Sequence, residues 1–322
     1  AQLEEQRENF GNAERAYLKA IDIVSEAADQ YSKVQWVRDE LSLTVRQYMT
    51  MLEGRGRKAK GEEYFRAMVE KYPDFEELHR QNARRIRLGN DPVTGLSAAI
   101  EAYPEREAYF LNRATHHAET GNWSASHEDY DVGFSLGEDQ SAREHYRAAL
   151  LSLAADDRRG FKTYCDKVLE KFLSSDEPSG TNFASAWTCA LAPSAVDDYE
   201  PAITLARRSV GSKPSNQQYL GGLGAILMRA GRYDEALAQL EKALEAGESD
   251  NTSSSYIHYF LAMTEHHLGN AEAAQTHLNQ ANEVAESELA STPAWNRKLT
   301  LELLRKEAES QIDDPNGEPH VD

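Results

Sequence analysis

The sequence contains no long apolar run, and it has only two cysteines among 322 residues. No segment approaches the roughly 18 apolar residues that a transmembrane helix requires, so we expect no membrane partner. Cys165 and Cys189 do not form a Cys-x-x-Cys pair, which predicts a reduced, cytoplasmic setting. The first residue is Ala1 and not Met, so we interpret the chain as a fragment of a longer polypeptide.

A basic excess is also missing, because 54 Asp and Glu residues outnumber 35 Lys and Arg residues and give a net charge of −19. Nonspecific nucleic-acid binding needs clustered Lys and Arg side chains that displace counterions from phosphates. The acidic balance therefore predicts no nucleic-acid partner. Apolar residues make up 40% of the chain, which is typical of a globular protein and not of a disordered one.

Motifs for catalysis or metal binding are lacking as well. His116-His117 and His266-His267 are adjacent pairs that point to different sides of a helix, and no His-Glu-x-x-His occurs. The basic turn Gly54–Gly61 lacks the Gly-Lys-Ser/Thr ending of a phosphate-binding loop, and no strand precedes Gly221–Gly224 to make a dinucleotide site. We therefore predict no enzymatic activity, no cofactor and no metal site.

The clearest positive signal is the stretch Gln217–Ala246, which predicts two amphipathic helices joined by a tight turn at Ala230–Arg232. Small residues stand where the paired helices must approach closely: Gly224 on the first, Ala236 and Ala243 on the second. Larger apolar residues surround them at helical spacing, namely Leu220, Leu223, Leu227, Leu237, Leu240 and Leu244.

The same register recurs along the chain. Matching units open at Ser42, Glu76, Glu107, Ser141, Phe183, Gln217 and Ser255. Three of the six intervals between these starts are 34 residues, and the others are 31, 42 and 38. Because the differences can fall in loops between helices, the irregular intervals are compatible with one repeating unit.

Small residues test this register independently of the spacing. The eighth place of each unit holds Met49, Ala83, Ala114, Ala148, Ala190, Gly224 and Ala262. The twentieth place holds Gly61, Gly95, Ser126, Gly160, Ala202, Ala236 and Ala274. Only Met49 is large, so we expect the helices of the first unit to splay. A turn glycine is present as Gly121, Gly231 and Gly269, loosely as Gly56, and is replaced by Asn90, Ala155 and Asp197.

This pattern resembles the tetratricopeptide repeat (TPR), a helix-turn-helix unit of 34 residues, over about residues 42–281. Three further stretches are distinctive: DRRGFKTYCDKVLEKF (157–172), AWTCALAP (186–193) and LARRSV (205–210). They carry a narrower resemblance, to the C-terminal TPR arrays of large bacterial Ser/Thr protein kinases. The first resemblance implies an all-α fold, a right-handed TPR-type α-solenoid of about seven helix-turn-helix units plus terminal helices. The second implies a signalling context.

The predicted organisation has four parts. These are N-terminal helices with a partial repeat (1–41), the TPR solenoid (42–289), a capping helix (290–312) and a disordered tail (313–322). Gly11-Asn12 predicts a break before a helix at Ala13–Gln30. The polar stretches 173–182 and 247–254 predict surface loops.

The family resemblance implies that the first helix of each unit lines a concave groove through its second, fifth, ninth, twelfth and thirteenth places. In the unit from Glu76 these include Arg80, Arg84 and Arg87, and Arg46 holds the fifth place one unit earlier. Arginines at this spacing share one helix face and suit a carboxylate, a phosphate or an acidic segment. The alternative is that they pair with Asp and Glu of neighbouring helices.

Later units place a different set of side chains at the inward positions. This set comprises Trp187, Met228, Tyr256, Tyr259, Met263, His266 and His267. Aromatic and Met side chains suit a peptide or helical guest. The alternative is intramolecular, because the capping helix or tight packing within the chain can cover the same side chains.

We therefore predict a noncatalytic scaffold that binds a peptide or a partner protein in the groove, with an acidic or phosphorylated segment as one candidate. It would be the docking or regulatory arm of a larger signalling protein. The alternative function is a helical-repeat RNA-binding module, since helical repeats can read one base per unit. The acidic charge of the chain argues against that alternative.

Overall fold

The computed structural model describes residues 10–137, 140–247 and 253–313, and within them it contains sixteen α-helices and no strand. The helices are α1 (Phe10–Gln30), α2 (Gln35–Gly54), α3 (Lys58–Lys71), α4 (Glu76–Arg87), α5 (Pro92–Ala102), α6 (Glu107–Glu119), α7 (Trp123–Leu136), α8 (Ala142–Ala154), α9 (Arg158–Leu173), α10 (Ser179–Thr188), α11 (Glu200–Ser212), α12 (Gln217–Arg229), α13 (Tyr233–Glu245), α14 (Ser254–His267), α15 (Ala271–Ala290) and α16 (Trp295–Asp313). The predicted all-α class is confirmed. The predicted tail falls outside the described residues from residue 314 onward.

Contacts divide the chain into two compact units, unit 1 over residues 1–116 and unit 2 over residues 117–322. Unit 1 has a continuous core in which Tyr17 of α1, Tyr48 of α2 and Phe65 of α3 are all at least 97% buried. The first helices of the first two predicted repeats, α2 and α4, contact each other beside this core. In unit 2 the helix pairs α8–α9, α10–α11, α12–α13 and α14–α15 pack in succession.

Helix pairs occupy the predicted repeat positions. Five of the seven first helices begin within one residue of the predicted unit start. The first unit begins earlier than predicted, because α2 starts at Gln35. The unit predicted from Phe183 also begins earlier, because Ser179 already belongs to α10 after Pro178. The stretch 173–182 is therefore only partly a loop, and the amide of Asn182 is buried and donates to the carbonyl of Glu177 (2.9 Å).

The predicted break at Gly11-Asn12 is wrong, because α1 runs through both residues from Phe10. A single glycine costs a helix about 1 kcal/mol relative to alanine. A helix of 21 residues that buries Tyr17 and Ile21 can absorb that cost.

The small residues at the helix crossings are buried, as the register requires. Every residue at the eighth place is buried, including Ala83, Ala148 and Ala262 at 0% exposure. The crossing at Gly224 of α12 is tight, because an added Cβ would lie 2.5 Å from Cγ of Leu240 and 3.2 Å from the carbonyl oxygen of Ala236. A Cβ does not fit there without movement of Leu240, so the backbone of α12 packs directly against Leu240 and the carbonyl of Ala236.

The first unit departs from this close approach in the way that Met49 predicts. Met49 is 2% exposed, so its long side chain is packed in the core of unit 1. A Cβ added at Gly61 of α3 would make only ordinary contacts, 3.7 Å to Leu52 and 3.9 Å to Cα of Met49. The crossing is therefore wider here than at Gly224.

Turn glycines have the backbone conformation that predicts them. Gly121, Gly231 and Gly269 have φ values of 77°, 72° and 83°, a region that glycine enters without the steric cost of a Cβ. Ala155 was predicted to stand in place of the turn glycine, but the residue with a positive φ (60°) between α8 and α9 is Asp156. Aspartate tolerates this region better than most residues.

The crossing at Gly224 generates a stability prediction. Gly224→Ala should lower the free energy of unfolding by about 1–2 kcal/mol, because the steric cost of overpacking exceeds the gain in helix propensity. The matched control is Gly211→Ala in α11, where an added Cβ meets nothing within 4 Å. That variant should raise stability by about 0.5–1 kcal/mol. Equal effects in urea denaturation would contradict the close approach.

A second prediction concerns pH. His258 of α14 and His277 of α15 bring their Nδ1 atoms to 3.2 Å, and burial together with His277 lowers the pKa of His258 to about 4. An unfolded histidine titrates near pH 6.5, so the unfolded chain takes up this proton before the folded chain does. Stability should therefore fall between about pH 6.5 and 4. Denaturation at several pH values should show a shallower fall for His258→Gln, and an unchanged pH profile would refute this assignment.

Candidate partner-binding surfaces

Four arginines on the first helices of unit 1, Arg46, Arg80, Arg84 and Arg87, are called here the arginine surface. Arg46 of α2 and Arg80 of α4 are 34 residues apart and hold the same place in consecutive repeats. Helices α2 and α4 contact each other, and α3 reverses the chain between them, so α2 and α4 run in the same direction. The two helices thus carry their arginines on equivalent faces.

These arginines differ in how far the chain neutralises them. Arg80 is exposed and forms two long ion pairs, 3.8 Å to Glu76 and 3.8 Å to Glu107. Arg87 is half-buried and already engaged. Arg46 and Arg84 are exposed, and among the described residues neither has a carboxylate within 4.0 Å. Exposed ion pairs contribute about 0–1 kcal/mol each, so Arg46 and Arg84 keep their positive charge available and Arg80 is only weakly neutralised.

Carboxylates near this surface are bound by other arginines. Arg106, whose side chain is 18% exposed, pairs with Asp74 (3.3 Å) and Glu76 (3.4 Å). Arg85, on the side of α4 away from Arg80, pairs with Glu53 of α2 at 2.9 Å. These acidic groups therefore pair with Arg85 and Arg106, and they do not neutralise Arg84.

A buried polar network beneath the surface fixes the position of α4. Nε2 of His79 lies 2.7 Å from the carbonyl of Pro73 and donates to it, so Nδ1 accepts from the hydroxyl of Tyr109 (2.7 Å). Asn82 donates to the same hydroxyl at 3.1 Å. Burial lowers the pKa of His79 and raises the pKa of Tyr109 to about 12, so both stay neutral. Short-range sequence patterns do not predict this network, because its members pair across 27 and 30 residues.

The inward side chains predicted for the later repeats lie mostly inside unit 2. Met228, Tyr259 and Met263 are 4%, 0% and 0% exposed. The hydroxyl of Tyr259 donates to Asn282 of α15 at 2.8 Å, and burial raises its pKa to about 12. In this structure these three side chains have no free surface for a guest.

The remaining members of that set are partly accessible. Trp187 is half-buried and its ring lies 5.6 Å from that of Tyr256, so the structure brings these two together. His266 is half-buried, whereas His267 is exposed and stacks on Tyr233 with ring centroids 4.5 Å apart. Partial burial and the neighbouring His266 lower the pKa of His267.

The C-terminal helix α16 lies against this part of unit 2. It contacts α14, α15 and also α8, whose sequence position is more than 140 residues earlier. The hydroxyl of Tyr146 on α8 lies 3.0 Å from Thr300, and Tyr256 donates to the carbonyl of Arg297 at 3.2 Å. The buried apolar residues of α16 are Trp295, Leu299, Leu301, Leu304 and Ala308. Unit 2 therefore covers Tyr256 with its own helix.

One buried ion pair joins α16 to the repeats. The guanidinium of Arg229, at the end of α12, is 3% exposed and forms a two-pronged pair with Glu307, with Nη2 to Oε2 at 2.7 Å. Its Nε donates to the carbonyl of Ala190 (2.9 Å), and the group lies 5.3 Å from the ring centroid of Phe260. Arg229 stands at the thirteenth, inward place of its repeat, so a first-helix arginine here already holds a carboxylate.

The described residues include no group of three or more His, Cys, Asp or Glu side chains that could hold a metal ion. In the same part of the chain, no helix is both long enough and apolar enough to cross a membrane.

Comparison with known proteins identifies a repeat segment in unit 2. Residues 215–287 match the tetratricopeptide repeat family model, which confirms the predicted repeats α12–α13 and α14–α15. None of the curated protein sequences matches the chain. The match to bacterial kinase arrays receives no support from these comparisons.

Solved structures of similar fold share little sequence with the chain. Yeast Tom70 is 15% identical with a TM-score of 0.37, and the match covers 96% of this chain and 62% of Tom70. A tetratricopeptide repeat protein from Parabacteroides merdae is 12% identical (TM-score 0.42; 89% and 99% covered). PilW, a type IV pilus biogenesis factor, is 19% identical (TM-score 0.43; 64% and 92% covered). The chain thus spans less than two thirds of the length of Tom70.

The pair between Arg229 and Glu307 generates the next prediction. Glu307→Gln should lower the free energy of unfolding by about 3 kcal/mol, because it leaves a buried guanidinium without its counter-charge. The control is Glu302→Gln on the same helix, whose pair with Lys298 is 3.8 Å long and about half exposed. That change should cost less than about 1 kcal/mol. Similar urea midpoints for both variants would show that the buried pair does not hold α16.

Proposed function

We propose that the chain is a noncatalytic protein-interaction module that binds an acidic or phosphorylated segment of a partner protein at the arginine surface. The observation that supports this most directly is the state of Arg46 and Arg84. Both are exposed in a chain of net charge −19, and no carboxylate among the described residues neutralises them. Like charges on one face repel, so an acidic ligand would relieve a cost that the free protein carries.

The chemistry of arginine suits this class of ligand. A guanidinium presents a planar fork of donors that matches a carboxylate or a phosphate through two hydrogen bonds. Arg46 and Arg80 stand on adjacent helices, which pack at roughly 8–10 Å. Two acidic groups of one segment can therefore be bound at the same time. TPR proteins that clamp a terminal carboxylate use Lys and Asn at comparable places, so we propose an internal segment and not a chain end.

Unit 2 supports the same chemistry from within the chain. There the inward Arg229 binds the carboxylate of Glu307, and the C-terminal helix α16 supplies that carboxylate. The described part of unit 1 supplies no such carboxylate to Arg84. A partner protein could provide to Arg84 the kind of carboxylate that α16 provides to Arg229 within the chain.

The wider setting is also a proposal. Tetratricopeptide repeats, which residues 215–287 match, generally mediate contacts between proteins. Together with the resemblance to the arrays of bacterial Ser/Thr kinases, this supports a docking or regulatory arm of a larger, cytoplasmic signalling protein. The inward residues of unit 2 that remain partly accessible, Trp187 and His266 among them, could add contacts to such a partner.

The test is fluorescence anisotropy of the full chain with labelled peptides. The probes are a mixed Glu/Ser peptide, the same peptide with phosphoserine, and one with Gln for Glu. The acidic probes should bind and the neutral one should not. The double variant Arg46→Glu/Arg84→Glu should weaken binding at least tenfold, because it replaces attraction by repulsion at two positions.

The control is Arg66→Glu on the second helix α3, which makes the same replacement at one exposed arginine and so half of the double variant's charge change. It should leave binding within about twofold. Equal losses in both variants would show a nonspecific effect of net charge and overturn the proposal. A labelled single-stranded RNA that binds when the peptides do not, with steep salt dependence, would instead assign the alternative RNA-binding function.

A further inference from the structure

Two exposed apolar side chains flank the arginine surface of unit 1. Trp36, near the start of α2, is 68% exposed, and Leu88, just after α4, is 67% exposed. A tryptophan in water leaves a large apolar area unburied, and Trp and Arg are the residues that most often dominate binding energy at interfaces. Whether they can contact a ligand bound at the arginines therefore depends on where they lie relative to Arg46 and Arg80.

Helix geometry places both apolar side chains on the same side of their arginine. At about 100° per residue, Trp36 lies about 80° around α2 from Arg46, and Leu88 lies about 80° around α4 from Arg80. The direction is the same in both cases. Because Arg46 and Arg80 hold equivalent places on parallel helices, Trp36 and Leu88 face the same way.

The same geometry places them at opposite ends of the surface. Trp36 is ten residues before Arg46 and Leu88 eight residues after Arg80, which separates them by about 27 Å along the helix direction. Tyr31 (51% exposed) precedes Trp36 in the chain, and Val93 (36% exposed) follows Leu88. Trp36 and Leu88 thus lie toward opposite ends of the arginine surface, with the arginines between them.

We infer that the arginine surface and these two ends form one docking site for an extended acidic segment with a bulky apolar side chain near each end. This inference rests on the proposed function and names its ligand more closely. An extended chain advances about 3.3 Å per residue, so about eight residues separate the two apolar anchors. A run of acidic residues disfavours a helix because like charges repel at i and i+4, which is why an extended ligand fits better. Its carboxylates meet Arg46, Arg80 and Arg84, and its anchors contact Trp36 and Leu88.

Three labelled peptides of equal net charge test this site on the full chain. The first has two leucines eight residues apart around an acidic centre, the second has them adjacent, and the third has serine in their place. The first should bind about tenfold more tightly than either of the others, since only it reaches both ends. Trp36→Ala and Leu88→Ala should each weaken the first peptide at least threefold and leave the third unchanged.

The control is Val132→Ala, which removes an exposed apolar side chain of unit 2 (41% exposed). It should not change the affinity for any of the three peptides. If all three bind equally and Trp36→Ala has no effect, the apolar ends are not part of the site, while the proposed function stands. If no acidic peptide binds, or Arg46→Glu/Arg84→Glu changes nothing, the proposed function fails together with this inference.

Discussion

The structure depends on how closely two antiparallel helices approach at a position that has no room for a side chain. At Gly224 the backbone of α12 meets Leu240 and the carbonyl of Ala236, and at Ala83, Ala148 and Ala262 a single methyl group is fully buried. Bulk at a crossing sets the distance between helix axes. Small residues in this one place therefore define six of the seven pairs, with Met49 as the exception, and the repetition of the pair builds both units.

A helix that packs on its partner in this way leaves its opposite face to contact solvent, another helix or a partner protein. In unit 2 another helix of the same chain covers part of that face. Helix α16 buries Leu299, Leu301 and Leu304 and supplies Glu307 to Arg229. In unit 1 the corresponding face of α2 and α4 keeps Arg46, Arg84 and Trp36 exposed. The same architecture thus yields one closed surface and one open one.

Periodicity in the sequence predicted those features that depend on residues close together in the chain. Helix pairs, small crossings and most turns follow from patterns within 34 residues, and five first helices begin within one residue of their predicted start. Helix ends were less predictable, as Ser179 and Asp156 show, because a neighbouring proline or a tolerant aspartate shifts them. The partners of Arg229 and Tyr146 lie 78 and 154 residues away. No short-range pattern encodes such pairings, and so the sequence left open whether α16 covers the later repeats.

The contrast between Arg229 and Arg84 shows why residue type alone does not identify a binding site. Both stand at inward places of first helices, and both offer the same fork of donors. Arg229 is 3% exposed and its donors are taken by Glu307 and the carbonyl of Ala190, so replacing its partner would destabilise the fold. Arg84 is exposed and has no carboxylate within reach among the described residues. A guanidinium that is satisfied in cis serves stability, whereas one left in water can bind a partner at little cost to the fold.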